Sequence, residues 1–458
     1  MDFFFNPKSV AVIGASTKPG KIGYEIVKSL LNSEFEGNVY PVHKRGEEIA
    51  GKTSYTSISE LPSDVDLAVI ALPSKLIPGM IGECAKVGVK GIVIVSGGFK
   101  ELNEEGAAYE KEAVESARKN GIRIIGPNCV GVFNGKSRFD TFFQPNYAMS
   151  RPKEGNISIL AQSATFGLTL LEWLSEEGLG VSKFVSWGNR SDVDEVDTLD
   201  YLQKDTETKV IGIHMEGVPR AREFMSVAEK VSPKKPIVAL KSGSTERGAK
   251  AAVSHTGSMA GSMEVFKGAM KQCGVVVAED LEQMFDLTKI LSLQPEIEGR
   301  RIAMVTNGAG PCVAAVDALQ DTKLELARLA EDTIDELRYR LPPFCIIDNP
   351  LDITGSADAE MYELSLKELA KDENVDILMP FYVFQDGPIA ATVDDMVESL
   401  KELATGEKPI VSVAAGGAFT KKQQLRFQEI GIPVIPTADR MISALARIDW
   451  YRNWMINH

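Results

Sequence analysis

Cysteine is scarce in this 458-residue chain and forms no pattern. Cys84, Cys129, Cys273, Cys312 and Cys345 are odd in number, widely scattered and include no C-x-x-C pair. That excludes a disulfide framework and a cysteine zinc site, and it suits a reducing cytoplasm. Basic charge is also short, with 50 Lys and Arg against 64 Asp and Glu and a formal charge of −14. A general nucleic-acid binder needs a basic face for phosphate backbones, so that class is excluded, while local basic loops for a small anion are not. No apolar run approaches the length of a membrane span. The opening Met1-Asp-Phe-Phe-Phe-Asn-Pro7 lacks the basic n-region and long apolar core of a signal peptide. The expectation is a cytoplasmic protein with neither membrane nor nucleic acid as partner.

What is present is ordinary globular composition, 44% apolar and 25% charged, in a chain too long for one core. Strand patterns at Val10–Ile13, Asn38–Val42, Leu67–Ala71, Gly91–Val95 and Arg123–Ile125 alternate with helical ones through about Leu31 and near 76–88 and 106–119. This alternation predicts a Rossmann-like parallel sheet over 1–130, with a first βα phosphate turn from Gly14 to Gly23. The turn carries Gly14, Ala15, Ser16, Pro19 and Gly20 in the spacing G-x5-G-x2-G, not G-x-G-x-x-G. An NAD site expects an acid after the second strand, whereas this chain has His43-Lys44-Arg45, which suits a phosphorylated ribose and disfavours a dehydrogenase. Pro73, and the run Ser96-Gly97-Gly98, stand at further strand ends where such sheets bind ligands, although tight turns explain them as well. Ile125-Gly-Pro-Asn128-Cys129-Val-Gly131 closes the domain; with no histidine nearby in sequence, Cys129 reads as part of a turn that shapes the site rather than a nucleophile.

The remainder repeats itself. Asn156–Ser163 matches Arg301–Gly308, Lys235–Gly243 matches Lys408–Gly416, and Gly274–Asp280 matches Gly431–Thr437. Two flavodoxin-like α/β domains follow from this, at 150–292 and 298–458. The stretch between Gly243 and Gly274 is much longer than its counterpart between Gly417 and Gly431, so the first copy carries an added loop. That loop, K-S-G-S-T-E-R-G-A-K-A-A-V-S-H-T-G-S-M-A-G-S from Lys241 to Ser262, contains His255. Loops added to a complete fold are more often functional than structural.

A histidine in a glycine-rich strand-to-helix loop can take up a phosphoryl group if one ring nitrogen is unprotonated, the other is held, and donors neutralise the charge. Glu216, ending Val210–Glu216 next but one to the strand that launches the loop, is the candidate carboxylate; an ordinary strand-end acid fits it equally. Helices starting near Gln162-Ser163-Ala164-Thr165 and Gly308-Ala-Gly310 are candidate phosphate donors through their N-termini. Asp192-Val-Asp194-Glu195-Val-Asp197 is metal-like in composition, but its spacing fits helix capping and no metal is expected.

Several motifs are specific: S-H-T-G-S-M-A-G-S at Ser254–Ser262, G-A-S at Gly14–Ser16, P-N-C-V-G at Pro127–Gly131 and N-P-L-D-I-T-G at Asn349–Gly355. Through them the chain resembles, over essentially its whole length, the α subunits of ADP-forming acetyl-CoA synthetases, within the succinyl-CoA synthetase superfamily. The resemblance implies that His255 is phosphorylated, that Glu216 stabilises it and that the first domain binds CoA or acetyl-CoA. It implies reversible conversion of acyl-CoA, ADP and phosphate to a small carboxylic acid, ATP and CoA. No second glycine-rich nucleotide loop is evident, so ADP or ATP with magnesium would sit mainly on an ATP-grasp β subunit, in an α2β2 assembly. One departure is Ala164-Thr165, where the family has Gly-Ala. The alternative reading is a CoA-binding regulatory or scaffold protein without phosphotransfer.

Overall fold

Runs such as Val10-Ala-Val-Ile13 and Ile92-Val-Ile94 are apolar at every position, the pattern of parallel strands covered on both faces. The computed structural model describes residues 1–62, 64–243, 245, 247–248, 262–294 and 297–458. The chain divides into two compact units, Met1–Leu281 and Glu282–His458.

In the first unit, strands β1 (Ser9–Ile13) and β2 (Asn38–Val42) are followed by a short antiparallel pair, β3 (Glu48–Ile49) and β4 (Lys52–Thr53). Then come β5 (Leu67–Ile70), β6 (Gly91–Ile94) and β7 (Arg123–Ile125), giving a parallel sheet in the order β2-β1-β5-β6-β7. Alternation along β1 sends Val10 and Val12 to one face, where Ile26, Val27 and Leu30 of helix α1 (Ile22–Asn32) cover them. Ala11 and Ile13 pack on the other face with Ile77, Ile81 and Cys84 of α2 (Ile77–Lys86) and Ala113 and Ala117 of α3 (Glu104–Lys119). The strand-to-helix turn needs glycine. Gly14 has φ +84°, and a Cβ on it would lie 2.5 Å from the Ala71 carbonyl oxygen, while one on Gly23 would lie 2.2 Å from that of Gly14.

The next sheet begins with chain that has just left the first. β8 (Val132–Asn134) and β9 (Phe139–Asp140) form a hairpin, and β8 pairs antiparallel with β11 (Val181–Ser186). With β10 (Glu154–Ala161), β12 (Val210–Met215), β13 (Ile237–Lys241) and β14 (Val276–Ala278), the order is β14-β13-β12-β10-β11-β8-β9. The hairpin thereby covers the β11 edge, whose unpaired backbone groups would otherwise face solvent. Helices α4 (Ala164–Glu176), α5 (Glu195–Lys204), α6 (Ala221–Val231) and α7 (Met263–Gln272) complete the layers. One apolar cluster runs from Val10 and Ile26 of the first sheet through Leu160, Trp187 and Ile213 of the second. The two sheets of this unit thus share a core.

The second unit has β15 (Arg301–Thr306), β16 (Glu325–Leu326), β17 (Leu351–Asp352), β18 (Ile377–Phe381), β19 (Ser412–Val413) and β20 (Val434–Ile435), with the path β16-β15-β18-β19-β20 and β17 on β15. Set beside β11-β10-β12-β13-β14, this is the same flavodoxin-type order, so the repeat read from sequence is a repeat of topology. Strand β19 ends at Val413 with the next helix at Ala418; in the first copy β13 ends at Lys241 and α7 starts at Met263. Helix Leu281–Leu293 packs from Glu282 onward within the second unit, where Lys289 Nζ donates to the Val434 carbonyl at 2.8 Å and Arg440 pairs with Asp286 at 2.8 Å.

Candidate active site

In the first sheet the strand order reverses between β1 and β5, the place where loops diverge and open a crevice at the strand C-termini. Four loops meet on this edge. After β1 come Gly14, Ala15 and Ser16, whose Oγ accepts from the Lys18 N–H at 3.2 Å, and Glu25 of α1 accepts the Gly20 N–H at 2.8 Å. After β5, Pro73 leads into the one-turn helix Ser74–Leu76. The loop after β6 lies against both neighbours: a Cβ on Gly98 would be 3.1 Å from Ser74 Oγ, and one on Gly97 3.3 Å from Asn128 Oδ1. The Asn128 N–H donates to the Ser96 carbonyl at 2.9 Å. Pro19, Gly20, Pro73, Gly97 and Asn128 are exposed along this rim, and Gly20 faces open space. Lys44 follows β2 on the same edge; it is exposed and has no ion-pair partner among the described residues. The structure thus gathers exposed strand-end turns and a lysine ammonium on one edge of the sheet. Cys129 stands apart from them: its Sγ is turned inward onto the Ile94 carbonyl at 3.3 Å, and burial pushes its thiol up to about 12. Its thiol is therefore turned away from the rim.

The second sheet brings the other set together. β12 stops at Met215, so Glu216 lies just past the strand, and β12 pairs directly with β13. This corrects the expected placing of Glu216 next but one to the strand that launches the His255 loop; the two strands are immediate neighbours. Glu216 and Gln162 are both buried and hold each other: the Glu216 N–H donates to Gln162 Oε1 at 2.9 Å, and Gln162 Nε2 donates to Glu216 Oε2 at 3.2 Å. The carboxylate is therefore fixed at the C-terminal edge beside the end of β13. Ser163 is the N-cap of α4 and uses no side-chain capping bond, and Ala164 and Thr165 open the first turn, where helix N–H groups need acceptors. Beneath them, the buried ring of His214 stacks on Phe166 at 4.4 Å and meets Ser242 Oγ through Nε2 at 2.7 Å. Burial pushes the His214 pKa down to about 4, so the ring is neutral near pH 7. His214 belongs to the scaffold. His255 itself lies outside the described residues.

A connection that sequence reading missed lies in the β11–α5 loop. Gly188 has φ +54°, and a Cβ on it would stand 2.2 Å from the Asn128 carbonyl oxygen. The Asn189 N–H donates to the Pro127 carbonyl at 2.9 Å. Its Nδ2 donates to Glu101 Oε2 at 2.7 Å and to Glu110 Oε2 at 2.8 Å. Glu101 in turn accepts the Gly98 N–H at 2.6 Å and the Phe99 N–H at 3.1 Å. Burial opposes ionisation of Glu101, but the hydrogen bonds from Asn189 and from these backbone groups outweigh it and lower its pKa. Arg190 Nη1 reaches the Gly217 carbonyl at 2.6 Å and the buried Glu195 at 3.2 Å. One loop therefore touches the Gly97–Phe99 loop, the Asn128 turn and the Glu216-Gly217 turn. The only signal in the sequence was the run of small and polar residues after a strand.

The acidic cluster next to it is structural. Asp194 makes a capping box with Asp197 at α5, Asp192 accepts from Arg123 Nε at 2.9 Å, and Arg220 bridges Asp194 and Asp197 at 3.1 Å. In the second unit, Gly308 is the N-cap of helix Ala309–Leu319 and donates its N–H to Thr306 Oγ1 at 2.9 Å, and a Cβ on exposed Gly310 would meet nothing within 4 Å. The N-cap N–H is thus taken by Thr306, while exposed Gly310 leaves open space over the first turn.

Comparison with known proteins matches three family descriptions along the chain. Residues 8–135 match a CoA binding domain, 154–291 a succinyl-CoA ligase like flavodoxin domain, and 302–454 a Ligase-CoA domain. These define the class as CoA ligases of the succinyl-CoA ligase type. The α subunit of acetate–CoA ligase [ADP-forming] II of Pyrococcus furiosus is 40% identical over 448 residues, covering 97% of this chain and 96% of that one. The α subunit of its isoform I is 40% identical over 465 residues, covering 100% and 99%. A solved acetyl-coenzyme A synthetase 1 of Ca. Korarchaeum cryptofilum, in complex with phosphate and ADP, superposes with a TM-score of 0.90 at 37% identity, covering 99% of this chain and 97% of that one. The chain belongs to the family of ADP-forming acetate–CoA ligase α subunits.

Proposed function

We infer that this chain carries the acyl-transfer and phosphohistidine half of an ADP-forming acyl-CoA synthetase. Phosphate attacks the thioester carbonyl, the C–S bond breaks and CoA leaves as the thiol, giving an acyl phosphate. An unprotonated nitrogen of His255 then attacks phosphorus, the P–O bond to the acyl group breaks, and its electron pair leaves with the carboxylate. Phosphohistidine finally passes its phosphoryl group to ADP. Glu216 holds the imidazole, the N-terminus of α4 at Gln162, Ser163, Ala164 and Thr165 binds phosphate, and Gly308 and Gly310 offer a second such terminus. CoA lies along Gly14, Ala15, Ser16, Pro19, Gly20, Pro73, Ser96–Gly98 and the Asn128–Cys129 backbone, with Lys44 toward its phosphorylated ribose.

The observation that carries this reading is the buried Gln162–Glu216 pair at the strand edge beside β13, in the same unit as the open glycine rim. Three domains, at 1–130, 150–292 and 298–458, are supported by the parallel sheet of β1, β2 and β5 to β7 in the first, by β10 to β14 in the second and by β15 to β20 in the third. The relatives are named as α subunits, so this chain works with a partner subunit. An ATP-grasp β subunit holding the magnesium nucleotide, in an α2β2 assembly, accounts for the nucleotide step. Among the described residues no helix is long and apolar enough to cross a membrane. Thermal-shift titration tests the ligand class: CoA is expected to raise the melting temperature and NAD to leave it unchanged. The reverse result would return the first domain to the dinucleotide-binding class.

A further inference from the structure

The peptide that carries Glu216 is held from both sides. Its N–H is bound by Gln162 Oε1 at 2.9 Å, and the next carbonyl, that of Gly217, is bound by Arg190 Nη1 at 2.6 Å. Arg190 is itself fixed. Its side chain is nine-tenths buried, it pairs with Glu195, which has no exposed surface, and its N–H donates to the Trp187 carbonyl at 2.9 Å. A guanidinium in that setting cannot swing away without leaving the Glu195 carboxylate buried and unpaired, an expensive arrangement. Its neighbour Asn189 is anchored just as firmly to Glu101 and Glu110 of the first domain.

We propose that Arg190 is a positioning residue for the phosphoryl-transfer step, setting the Glu216 carboxylate by clamping the Gly217 carbonyl, with Glu195 as its lock. The inference rests on the reading of Glu216 as the carboxylate that serves His255. The loop from Gly188 to Ser191 thereby fixes two features to one frame: Asn189 sets the Gly97–Phe99 rim where the acyl-CoA lies, and Arg190 sets the carboxylate that orients His255. Reactions between two bound groups are sensitive to such registration, and a displacement of about 1 Å costs on the order of 100-fold in rate. Arg190 bonds to Gly217, Glu195 and Trp187, none of them on the glycine rim, so its effect belongs on the chemical step and not on CoA affinity.

The test uses the full chain with acetyl-CoA and inorganic phosphate, following the single-turnover appearance of phosphohistidine and, separately, the CoA dissociation constant. Arg190→Gln combined with Glu195→Gln removes both charges and leaves none buried alone; Arg190→Lys keeps a donor for the Gly217 carbonyl. The double variant is expected to lose about 10- to 100-fold in rate with CoA affinity within about two-fold of wild type, and Arg190→Lys to recover most of the rate. Rate and affinity falling in proportion, with no rescue by lysine, would reduce Arg190 to a structural residue and overturn the inference. So would an unchanged rate in the double variant while Glu216→Gln is inactive. If Glu216→Gln itself keeps full rate, the role of Glu216 fails first and the inference falls with it.

Discussion

Gln162 and Glu216 are tied by two hydrogen bonds, Glu216 N–H to Gln162 Oε1 at 2.9 Å and Gln162 Nε2 to Glu216 Oε2 at 3.2 Å. A buried amide that both accepts from the backbone and donates to the carboxylate fixes the orientation of the acid, not merely its presence. Gln162→Ala leaves one oxygen of a buried carboxylate without this donor, a loss of about 1.5–3 kcal/mol for a bond to a charged group. The rate of phosphohistidine formation is expected to fall at least ten-fold, with CoA affinity unchanged in calorimetric titration. An equal loss in both would mean that Gln162 only supports the fold.

Gly188→Ala probes the junction between the two sheets of the first unit. A Cβ there stands 2.2 Å from the Asn128 carbonyl oxygen at φ +54°. The positive φ alone costs about 1–3 kcal/mol, with the backbone clash added to it. A lowered melting temperature and weakened CoA binding are expected together, because Asn128 belongs to the rim. Wild-type CoA affinity in a destabilised variant would detach Asn128 from the ligand.

The buried thiols give a chemical prediction. Burial pushes Cys129 up to about 12, so almost none of it is thiolate at pH 8. Iodoacetamide applied to the native chain is expected to alkylate half-exposed Cys345 before Cys129, as read by peptide mass mapping. Fast alkylation of Cys129 that CoA blocks would make it a reactive group of the site.

His214 predicts an acid limb in stability. Its folded pKa, about 4, lies below the ordinary 6.5, so unfolding favours the protonated ring. The stabilisation is complete above pH 6.5 and drains away as pH falls toward 4, amounting to at most about 3 kcal/mol. Chemical denaturation at pH 7 and pH 4.5 is expected to show a larger loss in wild type than in His214→Gln. Equal losses would show that the ring is solvated.

Much of the fold was legible because buried parallel strands are written as continuous apolar runs. Leu67–Ile70 and Gly91–Ile94 were found within a residue, and the internal repeat marked two copies of one flavodoxin-like domain, though the neighbouring of β12 and β13 came only from the sheet itself. The glycine rim was legible because a phosphate turn needs particular residues at particular strand ends. The Asn189–Arg190 connection was not, since its partners lie 27 residues on at Gly217, 79 back at Glu110 and 88 back at Glu101. Only the tertiary arrangement brings them together. The β8–β9 hairpin escaped for a related reason: short strands such as Phe139–Asp140 carry too few residues to show a period, and their place is decided by the open edge of β11.

Incubation of the chain with acetyl-CoA and phosphate, followed by mass analysis under conditions that preserve acid-labile phosphate, tests the central claim most directly. The account expects one phosphoryl group on His255, formed with release of CoA and acetate and lost in His255→Ala. An unmodified His255, or a His255→Ala variant with full activity beside its partner subunit, would contradict it.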